Sequence, residues 1–164
     1  MCGCSKDDDQ PTNPVDQLPS ETQSGANTFG ALIDGESFLP GFVVNPVQCN
    51  YQLINGERYF FVSGRFEEQE NFNLISLSLS TIAKEIEEGE TYQLLEVAEG
   101  NVFGGYFFNT GFVYTNDMQT GELTITHLDL ENQTVSGTFW FDVIDQNGDL
   151  KQIREGRFDM QFTQ

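Results

Sequence analysis

Few side chains in this 164-residue chain could carry out chemistry, and their spacing limits what that chemistry could be. It has one histidine, His127, and three cysteines, Cys2, Cys4 and Cys49. Cys49 with His127 could form a thiol nucleophile and its base. However, Cys49 opens the pattern CNYQLI with no helix N-terminus to lower its pKa, so a buried, inert thiol is expected. His127 alternates in phase with Leu123 and Ile125, which places it at the edge of a core. One histidine cannot build a histidine-rich zinc site, and neither C-x-x-C nor H-E-x-x-H spacing occurs, so no metal or other cofactor is expected. Ser63-Gly64 and Ser136-Gly137 lack the earlier glycine of a nucleophile elbow. Asp145, Asn147 and Asp149 stand where positions 1, 3 and 5 of a calcium loop would be. Leu150 and Gly156 then fall where the loop needs Gly and Glu, and a hairpin turn accounts for the same residues. Glu85, Glu87, Glu88 and Glu90 read as a solvated face.

The segment with most promise for binding is the last hairpin. A simple register across Asn147-Gly148 sets Trp140 opposite Glu155 and Thr138 opposite Arg157. Trp140, Arg157, Asp142 and Glu155 then share a polar face. An indole there could stack on a sugar ring or peptide while its charged neighbours hydrogen-bond to it. The competing expectation is that Trp140 is covered, or only forms a cation–π pair with Arg157.

These residues need a β scaffold, and the periodicity supplies one. Ile75, Leu77 and Leu79 alternate with Ser76, Ser78 and Ser80, the pattern of a half-buried strand. ELTITHL (122–128), VSGTFWFDVI (135–144) and the stretch around Phe158, Met160 and Phe162 alternate similarly. Further strands are expected at 28–34, 49–54, 57–66, 91–97, 102–108 and 111–115. Asn55-Gly56 and Asn147-Gly148 mark hairpins. The spacing predicts about nine or ten strands in a single antiparallel β-sandwich or flattened, lipocalin-like barrel. At most one short helix is expected, over 81–90. Residues 1–26 hold three of the five prolines and almost no apolar bulk, so they read as a disordered acidic tether before an all-β domain at 27–164.

Charge narrows the partners. With 26 acidic residues against 7 Lys and Arg, the chain carries −19 and has no basic surface to meet a phosphate backbone, so nucleic acid is not an expected partner. Docking on anionic lipid would need a polybasic cluster the chain lacks.

Two stretches resemble known proteins. Gly3-Cys4-Ser5-Lys6-Asp7-Asp8-Asp9 is similar to the mature start of a bacterial lipoprotein with the surface-export signal of the Bacteroidetes. That resemblance implies diacylation of Cys4, with Cys2 as the alternative anchor, and a place at the outer membrane facing out of the cell. Membrane contact is then only through the lipid. TQSGANTFGALIDGESFLP (22–40) and VSGTFWFDVIDQNGDLKQIREGRFDMQF (135–162) resemble the opening and closing blocks of a Bacteroidetes lipoprotein domain with no assigned activity. The combined expectation is a monomeric, non-enzymatic surface lipoprotein binding an extracellular glycan or peptide. The alternatives are a carrier of an apolar small molecule, with a cavity lined from 59–66 and 102–114, an acid-pair glycoside hydrolase, and a structural envelope protein.

Overall fold

The computed structural model describes residues 13–164. A 3-10 turn at Pro14–Gln17 precedes β1 (Thr28–Ile33), β2 (Glu36–Phe38), β3 (Val47–Ile54), β4 (Glu57–Glu67), β5 (Leu74–Thr81) and β6 (Thr91–Leu94). Then come β7 (Val102–Phe108), β8 (Gly111–Tyr114), β9 (Gly121–Asp129), β10 (Thr134–Ile144) and β11 (Leu150–Gln161). They form one sheet in the order β2-β1-β11-β10-β9-β6-β7-β5-β4-β3, with β8 added beside β7. The β6–β7 pair is parallel and the other strand pairs are antiparallel. The sheet curls back on itself just past β11: the Tyr51 N–H donates to the Thr163 carbonyl at 2.9 Å and the Thr163 N–H to that of Cys49 at 3.2 Å. The result is all-β, in the form of a flattened barrel.

Inside, aromatic rings form a continuous chain. Phe29 meets Phe139 at 5.3 Å between centroids, Phe139 meets Phe158 at 6.4 Å, and Phe158 meets Phe60 at 6.2 Å. Tyr51 continues the chain from Phe60 at 6.2 Å to Phe162 at 5.8 Å. Leu77 and Leu79, chosen by their alternation with serine, are fully buried, as are Leu123, Ile125, Phe141 and Ile153. Each such side chain contributes roughly 1.5–3 kcal/mol relative to exposure, which makes this interior the main source of stability. Of the segments expected around an internal cavity, Phe60 and Val62 belong to this packed interior. Tyr106 is part of it too and, with Phe66 and Phe108, borders an open cleft at one end.

Three details of the sequence reading are settled by tertiary contacts. The one short helix allowed over 81–90 does not form. The Thr81 hydroxyl accepts the Phe60 N–H at 2.8 Å and donates to the Lys84 carbonyl at 3.0 Å, and Ala83 takes φ of 50°. Ile86 drops into the core, where its N–H donates to the Tyr51 hydroxyl at 3.1 Å. Burying Ile86 outweighs two isolated helical turns, which are marginal alone.

Second, residues 13–26 are not a free tether. Asp159, on the outer face of β11 and only 1 % exposed, accepts hydrogen bonds from the Thr22 hydroxyl and from the N–H groups of Ser24, Gly25 and Ala26. The Ser136 hydroxyl of β10 donates to it as well. Low apolar content hid this because the segment is held mainly by polar contacts, Asp159 foremost, with Leu18 its one buried apolar side chain. The folded unit therefore begins before residue 27, and residues 1–12 lie outside those described.

Third, the alternation breaks in two strands. In β9 the register shifts between Ile125 and His127, so Leu128, opposite Val135, packs on the core and His127 does not. In β11 Phe139 faces Gly156 while Phe141 faces Ile153, leaving Arg154 and Glu155 together opposite Trp140, with Glu155 at φ of 53°. A bulge of this kind puts two consecutive side chains on one face.

Candidate functional site

The bulge in β11 originates in the turn before it. Asn55-Gly56 makes the expected tight two-residue hairpin, both residues at positive φ, with Ile54 opposite Glu57. At Asn147-Gly148 only the glycine is left-handed. There the Asp145 carboxylate accepts the N–H groups of Asn147 at 2.8 Å and Asp149 at 3.0 Å, widening the loop so that Ile144 pairs with Leu150. Near this turn the pairing is one residue off the simple register. The bulge restores it, and Thr138 does lie opposite Arg157. The residues resembling a calcium loop are thus spent on the turn.

Around the bulge is a groove of about 490 Å³. Trp140 and Thr138 of β10, Glu155 and Arg157 of β11, Glu122 of β9 and Glu21 of the N-terminal segment line it, together with Arg154. Trp140 is half-buried. Its indole N–H donates to Glu122 Oε2 at 3.3 Å, and the Arg154 guanidinium sits 5.3 Å from the ring centroid. The cation–π partner is therefore Arg154, not Arg157, because the bulge brings Arg154 to the outer face. Arg157 Nη2 is 3.4 Å from Glu155 Oε2, Nη1 is 3.8 Å from Glu21, and Nε–H donates to the Glu155 carbonyl. Asp142 does not line the groove. It holds Arg154, with Nη1 2.7 Å from Oδ1, while the same guanidinium donates to the Phe141 and Ile153 carbonyls.

Three of the four residues expected at a binding face thus line one groove, and the fourth orients its second arginine. Arg154, Glu122 and Glu21 were missed. The bulge follows from the Asp145 turn, which the simple two-residue reading passed over; Glu122 reaches Trp140 only because β9 is the neighbour of β10, and Glu21 sits in the segment read as tether.

The candidate catalytic residues are separated and engaged. Cys49, on β3, is buried, and burial pushes its thiol far above the usual range. His127 Nδ1 lies 3.2 Å from Glu88 and Nε2 3.2 Å from the Thr134 hydroxyl, while Glu88 also accepts the Leu128 N–H at 2.8 Å. Glu88, expected on a solvated face, thereby ties the 81–90 segment to β9. The anchor candidates Cys4 and Cys2 lie outside the described residues.

A curled β-sheet domain with a charged aromatic groove is the class that this geometry defines. The chain belongs to a family described as a domain of unknown function (DUF6252), whose model matches residues 53–160. The match takes in Trp140, Asp142, Arg154, Glu155 and Arg157 and most of the closing block at 135–162, whereas the opening block at 22–40 lies outside it. No curated protein and no solved structure matches the chain.

Proposed function

We propose that this is a non-enzymatic binding domain, carried on a lipid at the outer surface of a bacterial cell, that takes an extracellular glycan or peptide in the Trp140 groove. The observation that carries the reading is the convergence of one half-exposed indole, two arginines and three carboxylates on a single open groove. An aromatic face offers a stacking surface for a sugar ring or a flat side chain. Arg157 and the carboxylates of Glu122 and Glu155 offer donors and acceptors for hydroxyls or peptide groups. Thr138 adds a neutral hydroxyl. The burial of Cys49 and the engagement of His127 support the non-enzymatic part of the reading. The resemblance around Cys4 supports the lipid anchor.

Trp140 is the only tryptophan, so its emission reports directly on the groove. A glycan and peptide array probed with the soluble protein, followed by fluorescence titration of any hit, tests the reading. Trp140→Ala and Arg157→Ala are each expected to weaken binding at least tenfold. If no array member is held more tightly by the native protein than by Trp140→Ala, the groove is not the site. Release of shorter glycans or peptides on incubation would overturn the non-enzymatic assignment. Mass spectrometry of protein expressed from the full gene should find diacylglycerol on Cys4 or Cys2, and protease added to intact cells should remove the domain.

A further inference from the structure

A second concavity lies at the end of the barrel where the β2–β3 connection crosses β4, β5 and β7. It has a volume of about 760 Å³, within the range of small-molecule sites. One side is apolar, formed by Phe38, Phe42, Phe66, Ile75 and Phe108 with the ring of Tyr106 among them.

Two features distinguish this cleft from an incidental dent. Tyr106 is only 5 % exposed, yet among the described residues nothing hydrogen-bonds to its hydroxyl. The hydroxyl is not sealed in, so it is free to take a hydrogen bond from a molecule in the cleft, near the charges of Lys151 and Asp34. Phe42 is 68 % exposed at the mouth and sits at φ of 60°, a left-handed conformation that a bulky residue rarely takes. It is held there beside Gly41, whose N–H donates to the Arg65 carbonyl at 2.9 Å and whose own carbonyl accepts the Glu67 N–H at 3.2 Å. Its ring packs edge-on against Phe66 at 5.6 Å. Phe42 thus offers an open phenyl face at the mouth of the cleft.

Charge selects the occupant. Asp34, Glu36 and Glu68 line the cleft against a single ammonium, Lys151, which Asp34 already holds at 3.1 Å. An anionic amphiphile would meet uncompensated carboxylates there, whereas a cation would be drawn in.

We propose that this cleft binds a small cationic amphiphile, its apolar ring or short chain packed on Phe38, Phe42, Phe66 and Phe108 and its protonated amine donating to the Tyr106 hydroxyl and the acidic rim. The site is separate from the Trp140 groove, and either can fail without the other.

Naphthylmethylammonium and naphthylacetate share an apolar body and differ in charge, so titrating the full chain with each, followed by probe fluorescence, tests the proposal. The cation should saturate at one per chain, with a midpoint at least tenfold below that of the anion. Phe42→Ala should weaken the cation at least fivefold. Tyr106→Phe should weaken it at least threefold without lowering the melting temperature, since the lost hydroxyl had no partner. Trp140→Ala should bind the cation like the native protein. Equal affinity for the two probes, uptake that never saturates, or unchanged binding by both Phe42→Ala and Tyr106→Phe would overturn the proposal.

Discussion

The two concavities of this small barrel are built on opposite principles. In the Trp140 groove nearly every polar group already has a partner. The indole N–H is given to Glu122, Arg154 lies over the ring and is gripped by Asp142, and Arg157 is shared between Glu155 and Glu21. In the end cleft one side is aromatic, one exposed phenyl stands in a left-handed conformation, and the Tyr106 hydroxyl has no partner among the described residues. A groove wired by ion pairs holds its side chains in place and asks a ligand to exchange one set of polar contacts for another. That exchange favours specificity over affinity. An apolar cleft gains by being filled and selects mainly by the charge at its rim.

The contrast can be broken most severely at Asp159, because the groove's Glu21 wall depends on it. Asp159→Ala leaves the Ser24, Gly25 and Ala26 N–H groups and the Ser136 hydroxyl without their acceptor. Unsatisfied buried groups cost about 1–3 kcal/mol each, so a loss of roughly 3 kcal/mol or more is expected in chemical denaturation. The cleft should still take its cationic probe below the new melting temperature. Loss of cleft binding along with the groove would mean that the two regions are not independent.

The same carboxylate gives the contrast a pH dependence. Burial alone would raise its pKa, but the hydrogen bonds from Thr22, Ser24, Gly25 and Ser136 outweigh burial and hold it well below the ordinary 3.8. A group depressed in the fold stabilises it fully above its unfolded value and loses that contribution as pH falls toward the folded one. Melting temperature should therefore be level near neutrality and fall as pH drops below about 4. Asp159→Asn should start lower and show a shallower acid limb. Parallel curves for the two proteins would remove Asp159 as the acid-sensitive element.

Arg154→Ala comes next. Without its guanidinium Asp142 loses its counter-charge and the Phe141 carbonyl a donor, for a cost of about 1–2 kcal/mol. The uncovered face of Trp140 should be quenched more readily by acrylamide, and unchanged quenching would show that Arg154 does not cover it. The smallest effect is expected at Lys151→Met, where one partly exposed ion pair with Asp34 is lost, about 0–1 kcal/mol in thermal denaturation. The cleft then carries a more negative rim, and the cationic probe should bind about two- to threefold tighter. Weaker binding would show that Lys151 contributes an apolar wall rather than a charge.

Much of this molecule was legible from local pattern. β7 falls where expected, at 102–108, and the serine-leucine alternation of β5 correctly assigned Leu77 and Leu79 to the interior. Asn55-Gly56 made its hairpin because both residues tolerate positive φ. Trp140, Glu155 and Arg157 do reach one groove, the bulge having returned the hairpin to the register read from its turn.

The remainder turned on one local capture and on contacts between residues distant in sequence. Asp145 captured two backbone N–H groups and shifted the last hairpin, and the compensating bulge brought up Arg154 in place of Arg157. Asp159 recruited a segment more than 130 residues away in sequence, and Ile86 was worth more in the core than a helix over 81–90. The sequence by itself determined the strand period and the acidic net charge, because alternation and charge depend only on the order and number of residues. The tertiary structure decided which strands became neighbours, where the two bulges fell and which carboxylates met which arginines. Those contacts depend on strand order and sheet curvature, which one sequence read along its length does not contain.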